Sequence, residues 1–176
     1  MTAPPDPGPS FCDRFVELFD ADFPRIYRYL DRLTGEPELA ADLAQEAFVR
    51  LYRRGALPDA PGAWLITVAL NLLRNERSSR SRRRRLLTLS RGERAHSDPA
   101  PSPEQAAEAE DSRRRVRLAV DQLPERERRL LLLQAEGYSY GDLAAALQLN
   151  PASVGTLLAR AREQFRALYE ERLDAP

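Results

Sequence analysis

The 176-residue chain has one cysteine, one histidine, one tryptophan and no lysine. A lone Cys12 cannot close an internal disulfide, and next to the proline-rich start it reads as a bystander thiol. There is no glycine-rich phosphate loop and no set of carboxylates at metal-ligand spacing, and His96 has no partner residue for catalysis. An enzyme is therefore not expected, nor is any cofactor, metal or small-molecule substrate. No apolar run approaches the roughly 18 residues needed to span a bilayer. The amino terminus, MTAPPDPGPSF, has neither the basic start nor the apolar core of a signal peptide. A cytoplasmic location without a membrane partner is the expectation. β-branched residues are scattered and no period-two alternation persists, so strands are not expected and the fold class is all-α.

What is present is helical periodicity broken by proline and glycine. Phe15, Phe19, Ile26, Leu30 and Leu33 predict a first helix over about 13–33, with a kink or break at Pro24. Leu39, Leu43, Ala47 and Leu51, flanked by Ala44 and Phe48, predict a second over 37–53 with a broad apolar face. A loop with Pro58, Asp59 and Pro61 leads to a third helix carrying Trp64, Leu65, Val68, Ala69 and Leu72. From 86 to 103 the apolar period lapses and Ser, Gly, Pro and Asp accumulate, which is a linker composition. Helix returns near Glu104 and runs to Leu123. Two small helical domains, 12–85 and 104–170, joined by a flexible linker over 86–103, are expected.

Residues 123–165 hold the most informative pattern. Gly137 supplies a left-handed stop after one helix, and Ser139 caps the next. Asn150 and Pro151 then make a tight turn, and a longer helix starts at about Ala152. Val154, Leu158, Ala161 and Phe165 form its apolar stripe and leave Ser153, Thr156, Arg160 and Glu163 pointing elsewhere. This is the order of a helix-turn-helix, whose exposed face enters the major groove. Bundles that never touch DNA also use three such helices, so the rest of the chain has to decide.

The formal net charge is zero, but it is sorted along the chain: residues 71–94 carry nine arginines against two carboxylates, a local +7. Arg74, Arg77, Arg80 and Arg82 to Arg85 extend from a helix that Trp64 and Leu72 anchor, with Asn71 available for a base edge. A solvated charge run is the plain alternative. On the second helix, Asp42, Gln45, Glu46, Val49 and Arg53 lie away from the apolar face; they make either an ordinary solvated surface with a Glu46–Arg50 pair or a dock for a basic partner helix.

Taken in order, these segments resemble a sigma factor of the extracytoplasmic-function (ECF) group of the sigma-70 family, with its regions two and four. The D-x-x-Q-E-x-F pattern at Asp42, Gln45, Glu46 and Phe48 is similar to the region-two helix that binds the clamp helices of core RNA polymerase. The stretch from Trp64-Leu65 through Ala69, Asn71 and Arg77 is similar to the helix that meets the minus-ten element and supports promoter melting. Residues 123–165 resemble region four, which reads the minus-thirty-five element and meets the polymerase flap. The resemblance implies Asp42, Gln45, Glu46 and Val49 as the polymerase-binding set. It implies Asp59, Trp64, Asn71, Arg74, Arg77 and Arg80 for minus-ten DNA, with the 55–62 loop receiving a base beside Asp59 and Tyr52. For minus-thirty-five DNA it implies Ser139, Ala152, Ser153, Thr156 and Arg160. Promoter DNA, core RNA polymerase and an anti-sigma protein are the partners it implies. The chain departs from the family pattern at Leu70, where an arginine is common, at Asn75, where an aspartate is common, and at Gly155 and Leu157, where basic residues are frequent.

A free-standing helix-turn-helix regulator is the competing function; a sensor or dimerisation domain would have no need of Asp42, Gln45 and Glu46 facing outward beside an arginine-rich helix. The arginine block makes one prediction of its own. With about five arginines on phosphate, duplex affinity falls with salt at a log–log slope near −4, to be read from a fluorescence-anisotropy titration series.

Overall fold

The computed structural model describes residues 10–87 and 105–173, and these form seven α-helices and one 3-10 turn with no strand among them. The helices are α1 (Phe11–Thr34), α2 (Pro37–Arg54), α3 (Pro61–Leu87), α4 (Gln105–Gln122), α5 (Glu125–Ala135), α6 (Tyr140–Leu147) and α7 (Val154–Leu173), with the 3-10 turn at Pro151–Ser153. The expected all-α class holds. Contacts divide the chain into two compact units, one of Met1–Leu73 and Leu132–Val154, the other of Arg74–Leu131 and Gly155–Pro176. The expected linker, 86–103, lies outside the described residues except for its first two, which close α3.

In the first unit, α1 opens on a capping box. The Ser10 hydroxyl accepts from the Asp13 N–H while the Asp13 carboxylate accepts from the Ser10 N–H, so two orphan donors are satisfied reciprocally. The helix stops at Gly35, whose φ of 69° lies in the left-handed region and whose N–H donates to the Asp31 carbonyl at 2.7 Å. The expected break at Pro24 does not occur, and α1 continues through it. Pro24 and Asp20 are both exposed, so water can solvate the Asp20 carbonyl that the missing N–H leaves free. Apolar packing on both sides holds the helix together.

That packing is against α2, where Ala40, Leu43, Ala44, Ala47, Phe48 and Leu51 are all buried. Phe15, Phe19 and Phe23, one helical turn apart, gather around Phe48 with ring centroids 6.1, 5.0 and 5.8 Å away. Ile26, Tyr29, Leu30 and Leu33 continue the buried stripe of α1, and Ala63, Leu65, Ile66, Ala69, Leu70 and Leu73 are the buried residues of α3 in this unit. Leu70 therefore sits in the apolar interior, which accounts for an aliphatic residue where an arginine is common.

In the second unit, the carboxy-terminal part of α3, α4, the start of α5 and most of α7 bury Ala119, Leu123, Leu130, Leu158 and Ala161. Glu127 is buried here too and is met by Arg160 at 3.4 Å. The start of the last helix differs from the expectation of Ala152. Asn150 accepts from the Ala152 N–H through its side chain and from the Ser153 N–H through its carbonyl, so a 3-10 turn forms first and α7 begins at Val154.

Pro24→Ala restores a backbone donor at an exposed site inside a continuous helix. It is expected to raise the unfolding free energy by about 2 kcal/mol, after allowance for the looser unfolded chain, as measured by urea denaturation.

Candidate functional site

The α2 surface follows from the packing just described. With six of its residues buried, Asp42 and Gln45 are exposed, and Glu46 and Val49 are half-buried beside them. Glu46 accepts from Arg50 Nε at 2.9 Å, one turn along. Between two exposed side chains such a pair contributes little and yields readily to a partner.

The nucleic-acid candidates on α3 and before it divide into two groups. Asp59 is exposed in the loop ahead of the helix, Trp64 is half-buried with the Arg54 guanidinium 5.9 Å from its ring, and Asn71 is exposed. Trp64 and Asn71, seven residues apart, share one stripe. Arg74, Arg77 and Arg80 are exposed but recur every third residue, and each step turns about 60° back around the helix, so they wind away from Asn71. Arg77 donates to Glu125 at 3.1 Å, and Arg80 to Glu76 at 2.9 Å. The side chains of Arg83, Arg84 and Arg85 lie outside the described residues.

The helix-turn-helix candidates are built by caps. Gly137 takes φ 82° and ends α5. Ser139 caps α6 in a second capping box, its hydroxyl 2.6 Å from the Asp142 carboxylate. The α6 stop is Gln148 at φ 54°, where no glycine is present to signal it. Ser153 donates its hydroxyl to the Asn150 carbonyl at 2.8 Å, and the Ala152 N–H is held by the Asn150 side chain. Ser139 and Ser153 thus have their hydroxyls committed to the backbone, while Thr156 and Arg160 stand exposed one turn apart on α7, Arg160 with one nitrogen of its fork 3.4 Å from Glu127. Leu157 is half-buried.

A further polar cluster, in the first unit, is absent from the sequence reading. Arg25, Arg28 and Arg32 lie on one stripe of α1. Arg28 Nε and Arg32 Nη1 reach the two carboxylate oxygens of Glu136 at 2.9 and 2.7 Å, and the Glu136 side chain is only 3% exposed. Arg25 donates to the Glu136 backbone carbonyl at 2.9 Å and to Asp22 at 2.7 Å, and its guanidinium lies 4.0 Å from the centroid of the Tyr138 ring. Burial, with Asp22 adding to it, pushes the Tyr138 phenol well above its ordinary value, so it is neutral throughout the physiological range. The i, i+3, i+7 spacing of the three arginines was the available signal; nothing local marks Glu136 as their partner.

The family comparisons match this layout segment by segment. Residues 18–83 match the model of sigma-70 region 2, and residues 113–165 match that of sigma-70 region 4. The RNA polymerase sigma-H factor of Pseudomonas aeruginosa is 33% identical over 79% of this chain and 77% of its own length. The chain belongs to the sigma-70 family. Several relatives are named as ECF RNA polymerase sigma factors, which places this sigma factor in that group. It is also 35% identical, over 81% of its length, to a probable RNA polymerase sigma factor, RfaY, of Xanthomonas campestris; it spans 37% of that longer protein. The fold matches that of the sigma factor RpoE from Bartonella quintana, crystallised with the anti-sigma factor NepR. The TM-score is 0.66 at 21% identity, covering 93% of this chain and 99% of that one.

In this sigma factor, region 2 takes in the exposed α2 face, the α3 candidates and the three arginines of α1, and region 4 takes in the helix-turn-helix and Glu136. Since the Ser139 hydroxyl is engaged in its cap, Ser139→Ala is expected to lower stability by about 1 kcal/mol. Thr156→Ala, at an exposed position, is expected to leave stability within about 0.5 kcal/mol. Paired thermal melts and promoter-binding assays separate the two.

Proposed function

We propose that this sigma factor is a dissociable promoter-specificity subunit that lends core RNA polymerase two DNA-reading surfaces and performs no covalent chemistry. Residues 12–85 hold the polymerase through Asp42, Gln45, Glu46 and Val49 and meet minus-ten DNA through Asp59, Trp64, Asn71, Arg74, Arg77 and Arg80. Residues 104–170 read minus-thirty-five DNA, with Thr156 and Arg160 supplying side-chain contacts and Ala152, Ser139 and Ser153 shaping the approach. Residues 86–103 are the tether between them. An anti-sigma protein is the proposed inhibitor; the Bartonella sigma factor of matching fold was crystallised in complex with one. The site of action is the cytoplasm; among the described residues no helix is long and apolar enough to cross a membrane.

The observation that carries this reading is the outward α2 face. Six residues of α2 are committed to the interior, yet the opposite side is left open among the described residues and presents a carboxylate and an amide, Asp42 and Gln45, side by side. The test is gel filtration with core bacterial RNA polymerase, comparing wild type with Asp42→Arg, Glu46→Arg. Binding on the order of 100-fold weaker in the variant, from reversed charges at a complementary contact, is expected. A folded wild type that does not bind core polymerase would replace this reading with that of a free-standing regulator.

A further inference from the structure

We propose that Arg25, Arg28 and Arg32 of α1 and Glu136 at the end of α5 form an intramolecular latch that holds the turn of the helix-turn-helix on region 2 in the free protein and must open for promoter engagement. The consequence for initiation rests on the proposed function; the latch itself does not.

Three features separate this contact from a chance surface pairing. Glu136 is sealed from water and met by Arg28 and Arg32, one guanidinium on each oxygen, so parting either pair without re-exposing the carboxylate would leave a buried charged oxygen without its partner. The Arg25 bond to the Glu136 carbonyl satisfies an orphan acceptor at the carboxy-terminal end of α5, where the helix dipole favours a cation. The turn is also closely packed: the Arg25 guanidinium lies 4.0 Å from the centroid of the Tyr138 ring, and Gly62 of α3 comes near enough to that ring that an added Cβ would be in ordinary van der Waals contact with it, at 3.5 Å.

Geometry makes the latched state incompatible with simultaneous reading of both promoter elements. Elements centred near minus ten and minus thirty-five are separated by about 25 base pairs, or roughly 85 Å of B-form duplex. The α5–α6 turn cannot ride with a helix over the upstream element while Glu136 sits within 3 Å of α1. Binding of polymerase and promoter therefore has to supply the free energy of unlatching, and apparent affinity is lowered by the fraction of molecules closed. Because Arg28 and Arg32 are themselves half-exposed, the closed fraction should fall as salt rises.

The test uses the full chain, spin-labelled at the exposed native Cys12 of α1 and at Ala145→Cys on the exposed side of α6, with distances measured by pulsed electron resonance. In wild type a single short distance is expected at low salt, broadening as salt rises. Arg28→Glu, Arg32→Glu changes only half-exposed side chains of α1, and Glu136→Gln keeps the buried shape. Both should lose the short distance with helix content unchanged by circular dichroism, whereas Arg126→Glu, Arg166→Glu should keep it. A short distance that survives in both latch variants, or its loss in the control variant as well, overturns the latch. The measurement needs neither polymerase nor DNA, so failure here leaves the sigma-factor assignment standing, and failure of polymerase binding leaves the latch standing. As a functional readout, Arg28→Glu, Arg32→Glu is expected to bind core polymerase on the order of tenfold more tightly if one wild-type molecule in ten is open; equal or weaker binding would overturn the gating role.

Discussion

Phe48 is the residue against which the amino-terminal half of the molecule is aligned. Its ring is met by three phenylalanines of α1, and aromatic rings tolerate offset and edge-on contacts but not a sliding register, so α1 and α2 are fixed in depth and rotation. The alanines of α2 at 40, 44 and 47 are all fully buried, which lets the two helices approach closely along the remainder of the contact. The proposed polymerase-binding face of α2 follows from that orientation. Once the Leu43–Phe48–Leu51 side faces inward, Asp42, Gln45 and Glu46 have nowhere to point but outward. The left-handed stop at Gly55 then delivers the chain to the loop ahead of α3.

Helix ends carry the remaining geometry. Ser10 and Ser139 open helices with the same reciprocal arrangement, a hydroxyl taking the N3 amide and an aspartate returning to the cap amide. Asn150 performs the same task with its amide oxygen. These bonds decide which polar residues remain available to DNA. A hydroxyl that holds its own backbone cannot discriminate bases without first releasing the cap, so in the proposed reading recognition in region 4 shifts toward Thr156 and Arg160 of α7. The half-buried position of Leu157 narrows the choice further.

The sequence was most legible where one residue type has one physical use. Gly35, Gly55 and Gly137 all occupy left-handed conformations, and the prolines at 37 and 61 stand at helix starts. Apolar periodicity placed α1, α2, α3 and α7. It was least legible where the outcome depends on distant residues. Pro24 breaks a helix unless packing on both sides holds it, and that packing comes from α2. Gln148 takes a left-handed conformation that usually requires glycine or asparagine, with the Leu149 N–H bonded to the Ala144 carbonyl across the stop. The site candidates were legible as faces, since burial of one side exposes the other, but the use made of each side chain was not. The pairing of Arg25, Arg28 and Arg32 with Glu136 joins residues more than a hundred positions apart, beyond the reach of any local pattern.

The absence of lysine bears directly on that pairing. Arg25 donates through Nε to a carbonyl, through Nη1 to Asp22, and lays its planar face against Tyr138, three contacts in directions that a single ammonium on a flexible stem could not satisfy together. Arg28 and Arg32 likewise divide the two oxygens of Glu136 between them, so the buried carboxylate is matched oxygen by oxygen instead of sharing one point charge. A buried carboxylate is a poor source of net stability, because the cost of desolvation offsets most of its attraction to its partners. Its strength is discrimination: the arrangement is satisfied in one geometry and heavily penalised when partly broken. That property suits a contact that has to be either made or released as a unit.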